Sequence, residues 1–201
     1  IENNLRVDRL YVDSLLIGNI KAVTNWDNLN QESTVLADLN REGFKVLDIS
    51  GTYSPRKSDP LNLKAELNGT ELRIIEPFLS SYFSNITGNL FGEVDISGTP
   101  YKPNFSGEGE IKNASMHINY LNTDYNFLGN FYLNSDKIGF ENIVIKDTYD
   151  QNANLNGFIK HDNFRNMSIN IGANFEDFLV LDTDAKDNDL FYGNGVATGE
   201  L

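Results

Sequence analysis

The chain has 201 residues, a length that excludes a disulfide-dependent mini-protein. Of these residues 40% are hydrophobic and 22% are charged, a composition that excludes an intrinsically disordered protein. Its 16 basic and 29 acidic residues give a formal net charge of −13. This deficit of positive charge argues against binding to a phosphate backbone, so we expect no nucleic-acid partner. Because there is no cysteine and only two histidines are present, we predict no disulfide, no metal site and no cofactor.

The two ends of the chain suggest a piece of a longer protein. It begins at Ile1 without a methionine and stops at Leu201 within a strand-like pattern. No run of 18 apolar residues occurs, so the sequence itself contains no candidate transmembrane helix. We therefore expect any leader or anchor to lie outside this segment.

Alternation of apolar and polar residues predicts an all-β protein of about ten strands with little helix. The predicted strands include residues 47–53, 61–67, 86–98, 116–120, 127–133, 153–159 and 167–175. One short helix is predicted over residues 76–83, with Pro77 in its first turn. The sequences LDISGTY (47–53) and VDISGTP (94–100) are similar, which suggests stacked units of related structure.

Several glycines lie in phase with the apolar residues of these strands, where each marks a bend, a close backbone approach or space for cargo. They are Gly88, Gly92, Gly98, Gly107, Gly109, Gly129 and Gly157. The apolar side chains must be covered by a second sheet, by closure into a barrel, or by a ligand in a curved, trough-like sheet. The alternation alone is compatible with all three.

No set of residues indicates catalysis, so we predict that the chain is not an enzyme. The acidic stretch 182–189 lacks the spacing of a calcium loop and is better interpreted as a polar turn. His161 is interpreted as a strand-end histidine, because no nucleophile motif accompanies it. The GEGEI segment (107–111) has no lysine and no following helix, which excludes a phosphate-binding loop.

Residues 85–116 contain a pattern of spaced glycines and apolar residues, G-x-L-x-G-x-h-x-h-x-G-T, followed by Pro103, Phe105 and Gly107. This sequence pattern resembles the C-terminal region of the TamB family, the large subunits of the translocation and assembly module, within the AsmA-like superfamily. The later segments YLNTDYNF, KIGFENIVIKD, ANLNGFIKHDNF and VLDTDAKDNDLFYGNGVATG occur in the same order as in that family. The resemblance covers residues 44–201, and residues 1–43 look like an upstream turn of the same architecture.

The resemblance implies a curved, trough-like β-sheet, a β-taco or open β-helix, with a hydrophobic inner face and one short helix. It implies a periplasmic segment of an envelope-spanning protein that conducts phospholipid between the inner and outer membranes or assists the assembly of outer-membrane β-barrel proteins. The expected partners are phospholipid acyl chains or nascent outer-membrane β-strands. Contact with an outer-membrane protein of the TamA or BamA type is expected through parts of the protein outside this sequence. Contact with the inner membrane is expected through an N-terminal anchor, which also lies outside it.

The candidate groove-lining residues share apolar character and strand phase, and ordinary core packing is the alternative for each. They are Ile86, Leu90, Val94, Ile96, Leu155, Ile159, Met167, Ile169 and Ile171. The first rival function is a structural or adhesive β-solenoid or β-sandwich scaffold with a closed core. The second is a polysaccharide-active β-helix enzyme.

Overall fold

The computed structural model describes residues 1–12, 15–162, 165–187 and 191–201. In these ranges the chain forms twelve strands and one short helical segment, whose 3-10 part is η1 and whose α-helical part is α1. The strands are β1 (Glu2–Val12), β2 (Leu15–Asp27), β3 (Glu32–Arg41), β4 (Phe44–Tyr53), β5 (Leu61–Glu71), β6 (Phe83–Thr99), β7 (Lys102–Ile118), β8 (Thr123–Asn134), β9 (Lys137–Lys146), β10 (Asn152–Asp162), β11 (Arg165–Thr183) and β12 (Gly193–Glu200).

All twelve strands belong to one antiparallel sheet whose spatial order is the order of the sequence, from β1 to β12. The sheet is open, so β1 and β12 are its edges. The all-β class is thus confirmed, with more strands than the alternation predicted. The strands predicted from the alternation do not include β1, β2, β3 and β9, and they cover only the end of β7. The strand-like pattern expected at the end of the chain corresponds to β12.

The predicted helix is confirmed in place but is shorter at its C-terminal end. A 3-10 turn at Leu72–Ile75 leads into α1 at Glu76–Leu79, and β6 already begins at Phe83. The Glu76 carboxylate accepts a hydrogen bond of 3.0 Å from the backbone N–H of Ile86. This bond fixes the helical segment against the start of β6.

The strand register places apolar residues opposite apolar residues over much of the sheet. Leu39 faces Leu47, and Leu47 in turn faces Leu67. The buried core is centred on the middle and C-terminal strands, with the 3-10 turn packed against it. Its buried members are Leu72, Ile86, Ile111, Ala114, Tyr125, Phe131, Ile143, Ile145, Ala153 and Phe178.

The in-phase glycines of β6 and β7 allow the backbones of these two strands to approach each other closely. A Cβ added to Gly92 would press against the Glu108 carbonyl oxygen and lie 2.6 Å from the Gly109 Cα. A Cβ at Gly107 would lie 2.8 Å from the Val94 Cα. Of the three interpretations of these glycines, close approach therefore applies at Gly92 and Gly107, since the neighbouring strand already fills the space.

The sheet is curved, because β8 and β11 meet although β9 and β10 separate them in strand order. The Asp182 N–H donates to the Leu121 carbonyl at 3.0 Å, beyond the end of the β9–β10 hairpin. We refer to residues Phe178–Thr183 as the β11 extension. It pairs with β12 on its other side. The sheet as a whole stays open, and we call the place where β8 and β11 meet across the β9–β10 turn the closed end.

The boundary expected between residues 43 and 44 lies in the turn between β3 and β4. The two strands are paired from the turn outwards, with Arg41 opposite Phe44 at one end and Ser33 opposite Tyr53 at the other. Both proposed regions therefore contribute to one sheet.

Candidate functional site

The candidate site is one face of the sheet, which we call the apolar face. It follows from the strand pairing, because residues directly opposite one another on neighbouring strands point to the same side. One row of such partners crosses six strands from β6 to β11. That row consists of Val94, Gly107, Leu133, Ile138, Ile159 and Ile169.

The four candidate residues on β6 are the more buried group. Ile86 is 3% exposed and Val94 is 6% exposed. Leu90 and Ile96 are half-buried. Ile86 lies within the core, where it packs with Leu72. Ile86 and Val94 thus have the burial of ordinary core residues.

The candidate residues on β11 are more accessible than those on β6 and β10. Leu155 and Ile159 are half-buried. On β11, Met167 is 42% exposed, Ile169 is 61% exposed and Ile171 is 38% exposed. Three large apolar side chains at alternate positions of one strand therefore reach solvent together.

Some of the candidate residues lie directly opposite another apolar residue on the neighbouring strand. Ile159 lies opposite Ile169 in the β10–β11 pair. Leu155 lies opposite Ile143 on β9, and Leu90 lies opposite Ile111 on β7. The β6 group and the β10–β11 group are separated by three strands, but they share the apolar face through the row defined above.

The opposite face carries an unexpected row of acidic side chains, which we call the acidic ladder. Each member lies directly opposite the next on five neighbouring strands from β3 to β7. The members are Asp38, Asp48, Glu66, Glu93 and Glu108. Sequence reasoning missed the ladder because residues 38–108 meet only through the sheet register.

Lysines partly compensate the acidic ladder. Lys45 hydrogen-bonds Asp48, and Lys64 donates to Glu93 at 2.8 Å. The hydrogen bond to Glu93 raises the pKa of the Lys64 ammonium above its ordinary value, and the nearby Glu93 charge adds to this shift. The excess negative charge on this face favours solubility.

A buried polar group lies at the closed end of the sheet. Tyr125 is 5% exposed and its hydroxyl donates to the Leu179 carbonyl at 2.8 Å. Its ring stacks on Phe178 with centroids 5.3 Å apart. Burial raises the pKa of the Tyr125 phenol above its ordinary value, and the nearby Asp147 charge acts in the same direction.

Three polar motifs that the sequence predicted to have no catalytic or ligand-binding role lie in strands or turns of the sheet. Within the acidic stretch, the N–H of Asp184 donates to the Asp187 carboxylate at 2.8 Å, and the N–H of Lys186 donates to the Asp184 carboxylate at 2.6 Å. These bonds confirm a polar turn. Residues 188 and 189 of the stretch lie outside the described residues. His161 is 9% exposed and lies one residue before the end of β10, in agreement with the expected strand-end position. Residues 107–111 are part of β7.

Within the described ranges, no group of three or more histidine or acidic side chains is placed to hold a metal ion. No helix in the same ranges has the length and apolar character needed to cross a membrane. A shallow depression of about 410 Å³, lined in part by Tyr132, Asn156 and Phe158, contains none of the nine candidate residues.

The fold defines the chain as an all-β protein built on one open antiparallel sheet. Comparison with known proteins adds no closer assignment, since no family model, no curated protein and no solved structure matches the chain.

Proposed function

We propose that this chain is a segment of a TamB-like, envelope-spanning protein whose apolar face shelters phospholipid acyl chains or nascent β-strands in the periplasm. The face would form the hydrophobic lining of a trough. The single observation that carries the proposal is the exposure of Met167, Ile169 and Ile171, between 38% and 61%, on the same face as buried Val94. Contiguous exposed apolar side chains are typical of binding surfaces.

The energetics of burial support such a role. Each methylene of an acyl chain that leaves water contributes about 0.8 kcal/mol. A ligand lying along β10 and β11 would also cover side chains that are now solvated. The polar opposite face, with the acidic ladder, keeps the loaded segment soluble.

A second candidate function is a structural scaffold with a closed core. It is favoured by the burial of Ile86 and Val94, at 3% and 6% exposure, and by the closed end at the β11 extension. In that case the exposed residues of β11 are an ordinary part of the surface near a sheet edge.

The test compares phospholipid binding by the chain and two variants. The first variant replaces Met167, Ile169 and Ile171 with Asn. The matched control replaces Leu36 and Leu128 with Asn, because these side chains are 50% and 55% exposed and alternate with residues of the apolar face. Native mass spectrometry measures co-purified lipid, and uptake of a fluorescent phospholipid from vesicles gives the affinity.

The proposal predicts lipid on the unsubstituted chain and on the control, and a loss of affinity of at least about tenfold in the first variant. Circular dichroism checks that all three proteins remain folded. An unsubstituted chain that carries no lipid, takes none up and does not crosslink to an outer-membrane β-strand peptide supports the scaffold instead.

A further inference from the structure

β11 changes direction at Asp177, and this bend separates the β11 extension from the rest of the strand. Up to Phe175, β11 pairs with β10. A bulge then lies between Phe175 and Phe178 in the pairing with β12, and Asp177 has a φ of 48°, a conformation that is uncommon for a residue with a side chain. Beyond this bend the strand leaves β10 and approaches β8.

Three hydrogen bonds connect the β11 extension to β8 and the turn before it. The Asp182 N–H donates to the Leu121 carbonyl at 3.0 Å. The Asn122 side chain donates to the Asp182 carbonyl at 2.6 Å, and the Tyr125 hydroxyl donates to that of Leu179. The extension therefore spans the end of the β9–β10 hairpin and covers the apolar cluster below it.

The Asp147 carboxylate connects the hairpin to the extension. Asp147 is 2% exposed. One of its oxygens accepts the N–H groups of Tyr149 and Gln151 at 2.8 and 2.9 Å, and the other accepts the Leu179 N–H at 2.7 Å. A buried N–H group that loses its acceptor is costly, and three backbone N–H groups share this one buried side chain, so Asp147 contributes strongly to holding the extension in place.

On its other side the extension pairs irregularly with an exposed strand. Its other neighbour is β12, an edge strand of eight residues that includes Gly193, Gly195 and Gly199. The register between β11 and β12 shifts again between Leu179 and Leu181. Local opening free energies are lower where backbone hydrogen bonds are exposed to solvent, and six of the eight residues of β12 are exposed.

We propose that the β11 extension is a strap, held closed by the Asp147 carboxylate, that opens locally together with β12 while the rest of the sheet stays folded. Opening exposes Tyr125, Phe178 and Leu179, which are 5%, 6% and 1% exposed in the closed form. The strap thus controls how far the apolar face extends at this end. The inference rests on the fold and holds whichever ligand that face binds.

The test is amide hydrogen exchange, read by mass spectrometry in the extension and in β7. Asp147→Asn keeps the size of the side chain but replaces an accepting oxygen with a donor. We expect exchange of residues 178–183 to accelerate at least about tenfold in this variant, with no change in β7. The matched control is Asp150→Asn, since Asp150 lies in the same turn with its side chain 84% exposed and paired with Lys146.

Two outcomes overturn the strap: unchanged exchange of residues 178–183 in Asp147→Asn, or equal acceleration in β7 and in the extension, which would indicate global destabilisation. A second variant keeps the test decisive if Asp147→Asn does not fold. The chain contains no cysteine, so Asn122→Cys with Asp182→Cys places one unique pair across the closure.

Oxidation of this pair should slow exchange of residues 178–183 at least about tenfold relative to the reduced form, and should cancel the effect of Asp147→Asn where both are combined. Exchange that is insensitive to the crosslink contradicts local opening. Lipid binding is not part of this readout, so failure of the strap and failure of the proposed function are distinguished.

Discussion

At the scale of single residues, Gly92 illustrates how closely β6 and β7 approach each other. The backbone of β7 occupies the place where a side chain at Gly92 would begin. Tyr125 illustrates a different constraint, since its hydroxyl must find a partner in a buried environment and does so at the Leu179 carbonyl. We therefore expect substitution of either residue to change the free energy of unfolding.

Gly92→Ala is expected to destabilise the protein by about 2 kcal/mol or more, because the added Cβ forces the two strands apart. Gly199→Ala is the control, since nothing lies within 4 Å of a Cβ built at that position. Urea unfolding monitored by circular dichroism measures both. Similar stability of the two variants would contradict the close approach.

Tyr125→Phe is expected to cost about 1 kcal/mol at neutral pH, because the hydrogen bond to Leu179 is lost. The pKa of the Tyr125 phenol is raised in the folded protein above its ordinary value of 10.0. The unfolded chain therefore loses this proton first, so Tyr125 destabilises the unsubstituted protein as pH rises above 10.0.

The measurement is the difference in unfolding free energy between the unsubstituted protein and Tyr125→Phe, from pH 8 to 11. Subtraction removes the contribution of the eight other tyrosines of the nine in the chain. The difference should shrink above pH 10. A difference that stays constant over this range would show that the Tyr125 pKa is not raised.

At the scale of the elements, pairing of strands explains both the apolar face and the acidic ladder. Alternation along each strand sorts side chains onto two faces, and register then aligns them across strands. The same register that joins Val94 to Ala65 also places Glu66 opposite Glu93. Aligned apolar residues stabilise the sheet, whereas aligned carboxylates repel one another.

Glu66→Gln is expected to stabilise the sheet by about 0.5 kcal/mol at low salt, because Glu66 lies between the carboxylates of Asp48 and Glu93. This prediction requires the repulsion from these two direct neighbours to exceed the attraction to Lys45 and Lys64. Thermal unfolding measures the change, and the gain should decrease in 1 M salt, where screening acts over about 3 Å. Glu176→Gln, at an exposed site outside the ladder, is the control; an equal gain there would make the ladder irrelevant.

At the scale of the whole molecule, every strand pairs with its neighbours in sequence, and the buried core cluster contains no residue of β1 to β4. A sheet with this connectivity resembles a one-dimensional array, whose stability is a sum of local interfaces. The N-terminal strands depend mainly on pairing, whereas the strands from β6 to β10 also have the core. The free energy of unfolding should therefore differ along the sheet.

We expect β1 to β3 to unfold before the core. Trp26, the only tryptophan of the chain, lies in β2 and reports on this part. Its fluorescence should change at a lower urea concentration than the circular dichroism of the whole sheet. Coincident transitions would indicate one cooperative unit and contradict the expected gradient.

The sequence by itself determined the local features of this protein. Alternation in residues 86–98 and 167–175 predicted strands because a β-strand exposes successive side chains to opposite sides, and Pro77 marked the short helical segment. The nine candidate residues were proposed from their apolar character and strand phase. The trough function inferred from the family resemblance remains a prediction.

Only the tertiary structure decided which strands are neighbours, which candidate residues are buried, and where the sheet closes. Ile86 and Ile169 have the same apolar character, yet they are 3% and 61% exposed, because burial depends on what the rest of the fold places above each side chain. The contact of Asp147 with Leu179 and the acidic ladder join residues far apart in the chain. Such contacts depend on register and curvature, which are set by the summed packing of many strands and have no local signature.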